Sequence, residues 1–259
     1  MPVIAFLNQK GGVLKTTVTV NVAERLARRG LRVLVIDVDK QAAATSTLLA
    51  EEPTVDDRTL ADVLRNEHSL DTAIVPTDPP WGGVELVPAS LDLEDVWASN
   101  KPSLVFRLRR AIDEAELTSR YDYVLLDGPP DLGPGCVSAV IAADHVVVPF
   151  RPERMAMHGM ARTAETVDVV RRDMRSEVQL TAVLAAAADT RLGEHQNRID
   201  EAASLYGDKL ARTVIPHRLK SDEASGFGIP AGSLQGPAGE ALGIAYDAFA
   251  DELIERTKE

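Results

Sequence analysis

Short apolar runs alternate with longer stretches of helical period from the first residues onward. VIAFL (3–7) is followed by a segment over 16–29 whose apolar residues recur three and four apart, and then by LRVLVID (31–37). The same rhythm resumes in YDYVLLD (121–127), HVVVPF (145–150), LTAVLAAAA (180–188) and RTVIP (212–216), which are almost continuously apolar. Strands of that kind are covered on both faces, as in parallel sheets wrapped by helices. Segments 104–117, 154–174 and 240–257 carry the spacing of amphipathic helices. The pattern predicts an α/β fold, a mostly parallel twisted sheet with helices on both faces and ligand-binding positions at the strand ends. Residues 51–102 are less regular, rich in Pro and Asp, and predict short helices with a small strand pair, AIV and VELV. No linker or internal repeat divides the chain, so a single domain over 1–259 is expected.

Composition narrows the classes. A chain of 259 residues with 45% hydrophobic content can bury a substantial core. No run of about 18 apolar residues occurs and no basic flank precedes the opening apolar stretch, so neither a membrane span nor a signal peptide is expected. Cytoplasm is the expected compartment. Cys136 is the one cysteine, which excludes an internal disulfide and paired-cysteine metal motifs; it reads as a small core residue. A formal net charge of −12 opposes a generally basic surface, so any nucleic-acid binding has to come from a local patch.

Candidate chemistry begins at NQKGGVLKTT (8–17), which joins the first apolar run to the first helical segment. A strand, a glycine-rich loop and a helix in that order form a phosphate cradle: backbone N–H groups at a helix N-terminus face an anion, and the helix dipole favours its charge. Gly11, Gly12, Val13 and Leu14 form the loop. Lys15 would neutralise the outer phosphates, Thr16 would ligate Mg²⁺, and Thr17 would bind an inner phosphate. VIDVDKQ places Asp37 and Asp39 at one strand end, and YVLLDGPPDLG places Asp127 at another. Asp127 suits holding a water on the metal, Asp39 suits orienting an attacking water, and Asp37 suits supporting the metal shell or the loop.

With NQKGGV-x-KTT, DVDKQ, YDYVLLDGPPDLG, VPFRPERMAMHG and IPHRLKSDEASGFGIP in that order, the chain resembles the ParA/MinD-type ATPases over nearly its whole length. It is most similar to the short ParA partition ATPases without an N-terminal helix-turn-helix, because the phosphate loop lies so near the start. The resemblance implies a P-loop NTPase of the deviant Walker A type, in which Lys10 reaches across a dimer to the partner's ATP. It further implies that ATP-bound dimers bind DNA without sequence preference on the nucleoid, and that a ParB-like partner stimulates hydrolysis. Arg191 and Lys220, with Arg218 beside them, align with phosphate-backbone contacts, and the segment around Ile215, Pro216 and His217 aligns with the adenine pocket. Residues 191–220 hold six Lys/Arg against four Asp/Glu, whereas the rest of the chain is strongly acidic.

Departures from the family pattern also matter. Leu14 stands where KGGVGKTT has glycine, and a positive φ there would strain the loop, so weakened ATP binding or an incomplete cycle is expected. Lys40 and Ala42 replace a proline and a glycine of the switch stretch, and Asp131 replaces a small hydroxyl residue, which point to slow hydrolysis. Iron–sulfur relatives are excluded by the single cysteine. A membrane-cycling ATPase is disfavoured by the mixed charge of DELIERTKE. Two alternatives stay open: a positioning ATPase that distributes protein cargo over the nucleoid, and a scaffold that does not hydrolyse ATP.

Overall fold

The VIAF run folds as the central strand β1 (Val3–Phe6), and its side chains alternate between two apolar layers as a strand's geometry requires. Val3, Ala5 and Leu7 point into one layer; Ile4 and Phe6 point into the other. The computed structural model describes all residues except 55, 100, 154–155, 218–227 and 259. On one side of β1 lie β5 (Tyr123–Asp127), β2 (Val33–Asp37), β4 (Val84–Val87) and β3 (Val75–Pro76); on the other lie β6 (His145–Phe150), β7 (Gln179–Ala188) and β8 (Leu210–Pro216). The eight strands make one sheet in the order β3-β4-β2-β5-β1-β6-β7-β8, parallel except for β3 against β4.

Helices cover both faces. The layer shared by Ile4 and Phe6 is closed by α1 (Lys15–Arg28), α2 (Ala43–Leu48) and the last long helix, Pro237–Arg256. The opposite layer is closed by α3 (Leu60–Arg65), α4 (Leu93–Ala98), α5 (Arg107–Glu114), α7 (Pro134–Ala142), α8 (Ala156–Asp173) and α9 (Gly193–Tyr206), with the short α6 (Leu117–Arg120) beside them. The last helix is α10. Cys136 is buried in that second layer, as its type suggested. Among the described residues no helix is long and apolar enough to cross a membrane.

Differences from the sequence pattern have local causes. The amphipathic stretch 104–117 is divided: Pro102–Phe106 forms a 3₁₀ turn, α5 follows, and Glu116 at φ 48° ends it before α6. A residue in the left-handed region cannot continue a right-handed helix. Helix α7 starts at Pro134, whose fixed φ suits a first turn, and its all-apolar surface carries little periodic signal because α7 is sandwiched inside the layer.

Strand β8 is a sheet edge, where unpaired backbone groups invite pairing with other chains. Here the Glu252 carboxylate of α10 accepts the amides of Arg212 (2.9 Å) and Thr213 (3.0 Å) and the Thr213 hydroxyl (2.8 Å). Arg256, which also bonds Glu252, donates to the carbonyls of Thr181, Asp208 and Leu210.

Candidate active site

The first turn of α1 carries the chemistry. Helix geometry leaves the amides of Lys15, Thr16 and Thr17 without acceptors inside the helix, and none among the described residues takes their place. Gly12 sits at φ 72°, and a Cβ built on Gly11 or Gly12 would meet no atom within 4 Å, so the loop's outer surface is open. Val13 is buried beneath it. Leu14 occupies the helix N-cap at φ 67° and ψ 26°, the left-handed conformation anticipated for that position. Its half-buried side chain packs against the apolar layer that α1, α2 and α10 close.

Lys15 is 7% exposed, and burial holds its ammonium below the ordinary lysine range, with Asp127 and Asp39 pulling it back up. Among the described residues it forms no ion pair within 4.0 Å. A cation in that situation lacks a direct counter-charge and favours an anion at the loop mouth. The Thr16 hydroxyl donates to Asp127 Oδ2 at 2.7 Å, and the Thr19 hydroxyl, one turn on, lies 3.1 Å from Asp127 Oδ1. Adjacent strands align Asp37 with Asp127 as register partners.

Asp37 turns to the loop after β2: it accepts the Asp39 amide (3.1 Å) and both the amide and the hydroxyl of Thr45 (2.8 Å each). Both of its oxygens are therefore engaged by residues 39–45. Asp39 is 7% exposed and accepts the Gln41 amide at 3.0 Å; burial raises its carboxyl above the usual range. Among the described residues, no cluster of three or more His, Cys, Asp or Glu could hold a metal. The donor set of one hydroxyl backed by a carboxylate suits Mg²⁺ completed by phosphate oxygens and water.

Burial raises the carboxyls of Asp37 and Asp127 above the carboxylate range; their mutual repulsion raises Asp37 further, and Thr16 and Lys15 partly offset the rise at Asp127. The folded chain therefore binds more protons than the unfolded chain above the ordinary aspartate range, and stability falls as pH rises through that window. Urea midpoints of the ligand-free chain are expected to decline from mildly acid to mildly basic pH, by about 1 kcal/mol per pH unit for each proton retained. Asp127→Asn removes the repulsion and should flatten the slope; an unchanged slope would refute the assignment. Glu252 works in the opposite sense and lower: burial raises it, but the Arg212, Thr213 and Arg256 donors outweigh this and leave it depressed, so its contribution is lost only in acid.

The remaining predicted residues lie elsewhere. Lys10 Nζ pairs with Glu153 Oε2 at 3.1 Å within its own chain. Pro216 and His217, at the end of β8, line an open groove of about 970 Å³ with Asp189, Arg191, Arg212 and Ile244 and with no phosphate-loop residue. Arg191 is highly exposed and held by Asp189 through two contacts of 2.7 and 2.8 Å. Arg218 and Lys220 lie outside the described residues. Sequence reading passed over Thr19, which the i to i+4 spacing from Lys15 places on the same helix face, Thr45, four residues past DVDKQ, and Glu153, which stands inside VPFRPERMAMHG.

Parallel strands that end in Asp37 and Asp127, beside a glycine loop running into a helix with Lys15 and Thr16, define a P-loop NTPase fold of the deviant Walker A type. A family model described as an AAA domain matches residues 1–180. The chain is 34% identical over 259 residues to chromosome partitioning protein ParA of Caulobacter vibrioides, covering 99% of this chain and 95% of that protein. It is 35% identical over 260 residues to chromosome-partitioning ATPase Soj of Thermus thermophilus, covering 99% and 96%. A crystal structure of cobyrinic acid a,c-diamide synthase from Mycobacterium smegmatis, with bound ADP and magnesium, matches at TM-score 0.83 and 28% identity over 100% of this chain and 96% of that one. The chain belongs to the ParA/Soj family.

Proposed function

We propose that this chain is a ParA-like partition ATPase of the cytoplasm. ATP joins two copies, the dimer binds DNA on the nucleoid without sequence preference, and a ParB-like partner stimulates hydrolysis to release it, segregating a plasmid or chromosome. The observation that carries this reading is the buried Lys15, without an ion pair among the described residues, set beside the Thr16–Asp127 contact at the open mouth of the loop. The partitioning names of relatives covering nearly the whole chain support the biological setting.

In this reading each residue has a task. The amides of residues 15–17 and the Lys15 ammonium bind the phosphates, and the Gly11–Leu14 turn brings the backbone close. Thr16, backed by Asp127, would hold Mg²⁺, which supplies charge neutralisation at the phosphates when bound. Asp39 orients the attacking water, while Asp37 and Thr45 fix the backbone that carries Asp39. Lys10 acts on the second copy's nucleotide. Pro216 and His217 bound the base, and Arg191, Arg218 and Lys220 touch DNA phosphates. The doubled patch of a dimer gives binding that falls steeply with salt.

Leu14 limits the cycle in this reading. A left-handed leucine costs about 1–2 kcal/mol, worth roughly ten-fold in affinity where it bears on the nucleotide-bound loop. Retention on non-specific DNA tests the whole scheme: the parent chain and Leu14→Gly are compared with ATP, with ADP and without nucleotide, alongside equilibrium ATP titration. ATP-dependent retention is expected in both, with the glycine variant saturating at up to about ten-fold less ATP. Retention indifferent to nucleotide removes the switch, and weaker ATP binding by Leu14→Gly removes the role given to Leu14.

A further inference from the structure

The loop that carries Lys10 is fastened to the junction between β6 and α8 at several points. Asn8 donates from Nδ2 to the Pro149 carbonyl at 2.7 Å, and its Oδ1 accepts the Lys10 amide at 3.0 Å. Helix α8 comes so near that a Cβ on Gly159 would stand 2.5 Å from Asn8 Oδ1 and 3.5 Å from Lys10 Cβ. At the end of this fastening the Lys10 ammonium meets Glu153 Oε2 at 3.1 Å, while Arg151 Nε meets the other oxygen, Oε1, at 3.0 Å. The Glu153 amide also donates to the Arg151 carbonyl at 2.7 Å, which holds the carboxylate's own backbone in a tight turn. Lys10 and Glu153 are 32% and 42% exposed, so the pair is open to replacement by a competing anion.

Two cations share one carboxylate, and the cluster carries a net positive charge. If Lys10 leaves, Glu153 keeps Arg151 and no charge is stranded, so departure costs only one half-exposed ion pair. An approaching polyanion outcompetes a single carboxylate for the ammonium, because it offers several negative oxygens at once. Lys10 thus has a place to rest within its own chain and a reason to leave it when a phosphate chain is presented from outside.

We propose that Glu153 is a positioning residue that restrains Lys10 in the single copy, with Arg151 as the standing counter-ion that makes release inexpensive. This rests on the reading above in which Lys10 serves a second copy's nucleotide. The restraint sets a threshold: two copies associate only when both lysines are drawn off their glutamates together, so the effect enters once per protomer.

Glu153→Gln removes the charge and keeps the size. With a slowly hydrolysed ATP analogue, sedimentation velocity is expected to show the variant's dimer dissociation constant lowered about 2- to 30-fold, the range for releasing one surface ion pair in each of two protomers. In the nucleotide-free monomer, amide hydrogen exchange over residues 9–12 is expected to quicken several-fold, while analogue affinity per monomer stays unchanged. Glu153→Asp keeps the charge at shorter reach and should fall between the two chains, which separates loss of the ion pair from a folding defect. Unchanged exchange in Glu153→Gln overturns the restraint, and unchanged or weaker dimerisation overturns the threshold. Full dimerisation by Lys10→Ala instead overturns the underlying reading of Lys10, and leaves the exchange result to decide whether the pair holds the loop.

Discussion

Lys15→Ala is expected to weaken ATP binding by at least about a hundred-fold and to abolish nucleotide-dependent DNA retention. Charge-assisted contacts from a desolvated donor contribute about 3–4 kcal/mol where they meet concentrated anionic charge, and each 1.4 kcal/mol is ten-fold in affinity. Here the donor is 7% exposed, and Asp127 and Asp39 are the nearest charges acting on it. Truncation therefore removes the phosphates' main cation and leaves Asp39 and Asp127 at the site with less compensation. The variant should bind ATP more poorly as pH rises from 6 to 8, because the protons that burial retains on Asp37 and Asp127 are lost over that range and the ionised acids then repel the triphosphate. Isothermal titration with ATP is the direct measurement. Retained affinity within about ten-fold of the parent would sink the claim that this lysine anchors the phosphates.

Asp39→Ala is expected to separate binding from turnover. Loss of a general base or water-orienting group slows a reaction by about 10²–10⁴, while phosphate contacts made by other residues persist. Asp39 contributes to neither the loop amides nor the Thr16–Asp127 contact, and Asp37 with Thr45 continues to brace the neighbouring backbone. ATP affinity should stay within a few-fold, and dimers should accumulate because hydrolysis no longer clears them. Removing a negative charge beside the phosphates works in the same direction. Steady-state phosphate release, measured beside analogue titration, distinguishes the outcomes. Turnover equal to that of the parent chain would return the role to Asp131 or to a residue outside the described set.

The chemistry of the loop was legible in sequence because it is local: one strand, one turn and one helix supply Gly11 through Thr17, and spacing alone orders them. The central strands were equally plain, since VLLD and VLVID are apolar on both faces and end in Asp at matching register. Pairing between distant segments was not. Nothing in the neighbourhood of Thr19 announces a carboxylate 108 residues away, and nothing near Glu153 announces that its oxygens meet Lys10 and Arg151. The α7 and α9 helices lacked a clear stripe, the first because it is apolar on most sides and the second because few of its residues are buried. Leu14 is the instructive case: the motif's glycine signalled a left-handed turn, and the leucine keeps that turn at φ 67° while packing its side chain against the apolar layer, a contact that distant segments supply.

Glu252 and Arg256 reach from the last long helix to the outer rim of β8. They engage the amides of Arg212 and Thr213 and the carbonyl of Leu210, so lateral strand addition along that stretch of β8 would have to displace them. A filament built by continuing this sheet past β8 would therefore have to break the contacts that the last long helix makes to the strand's first half.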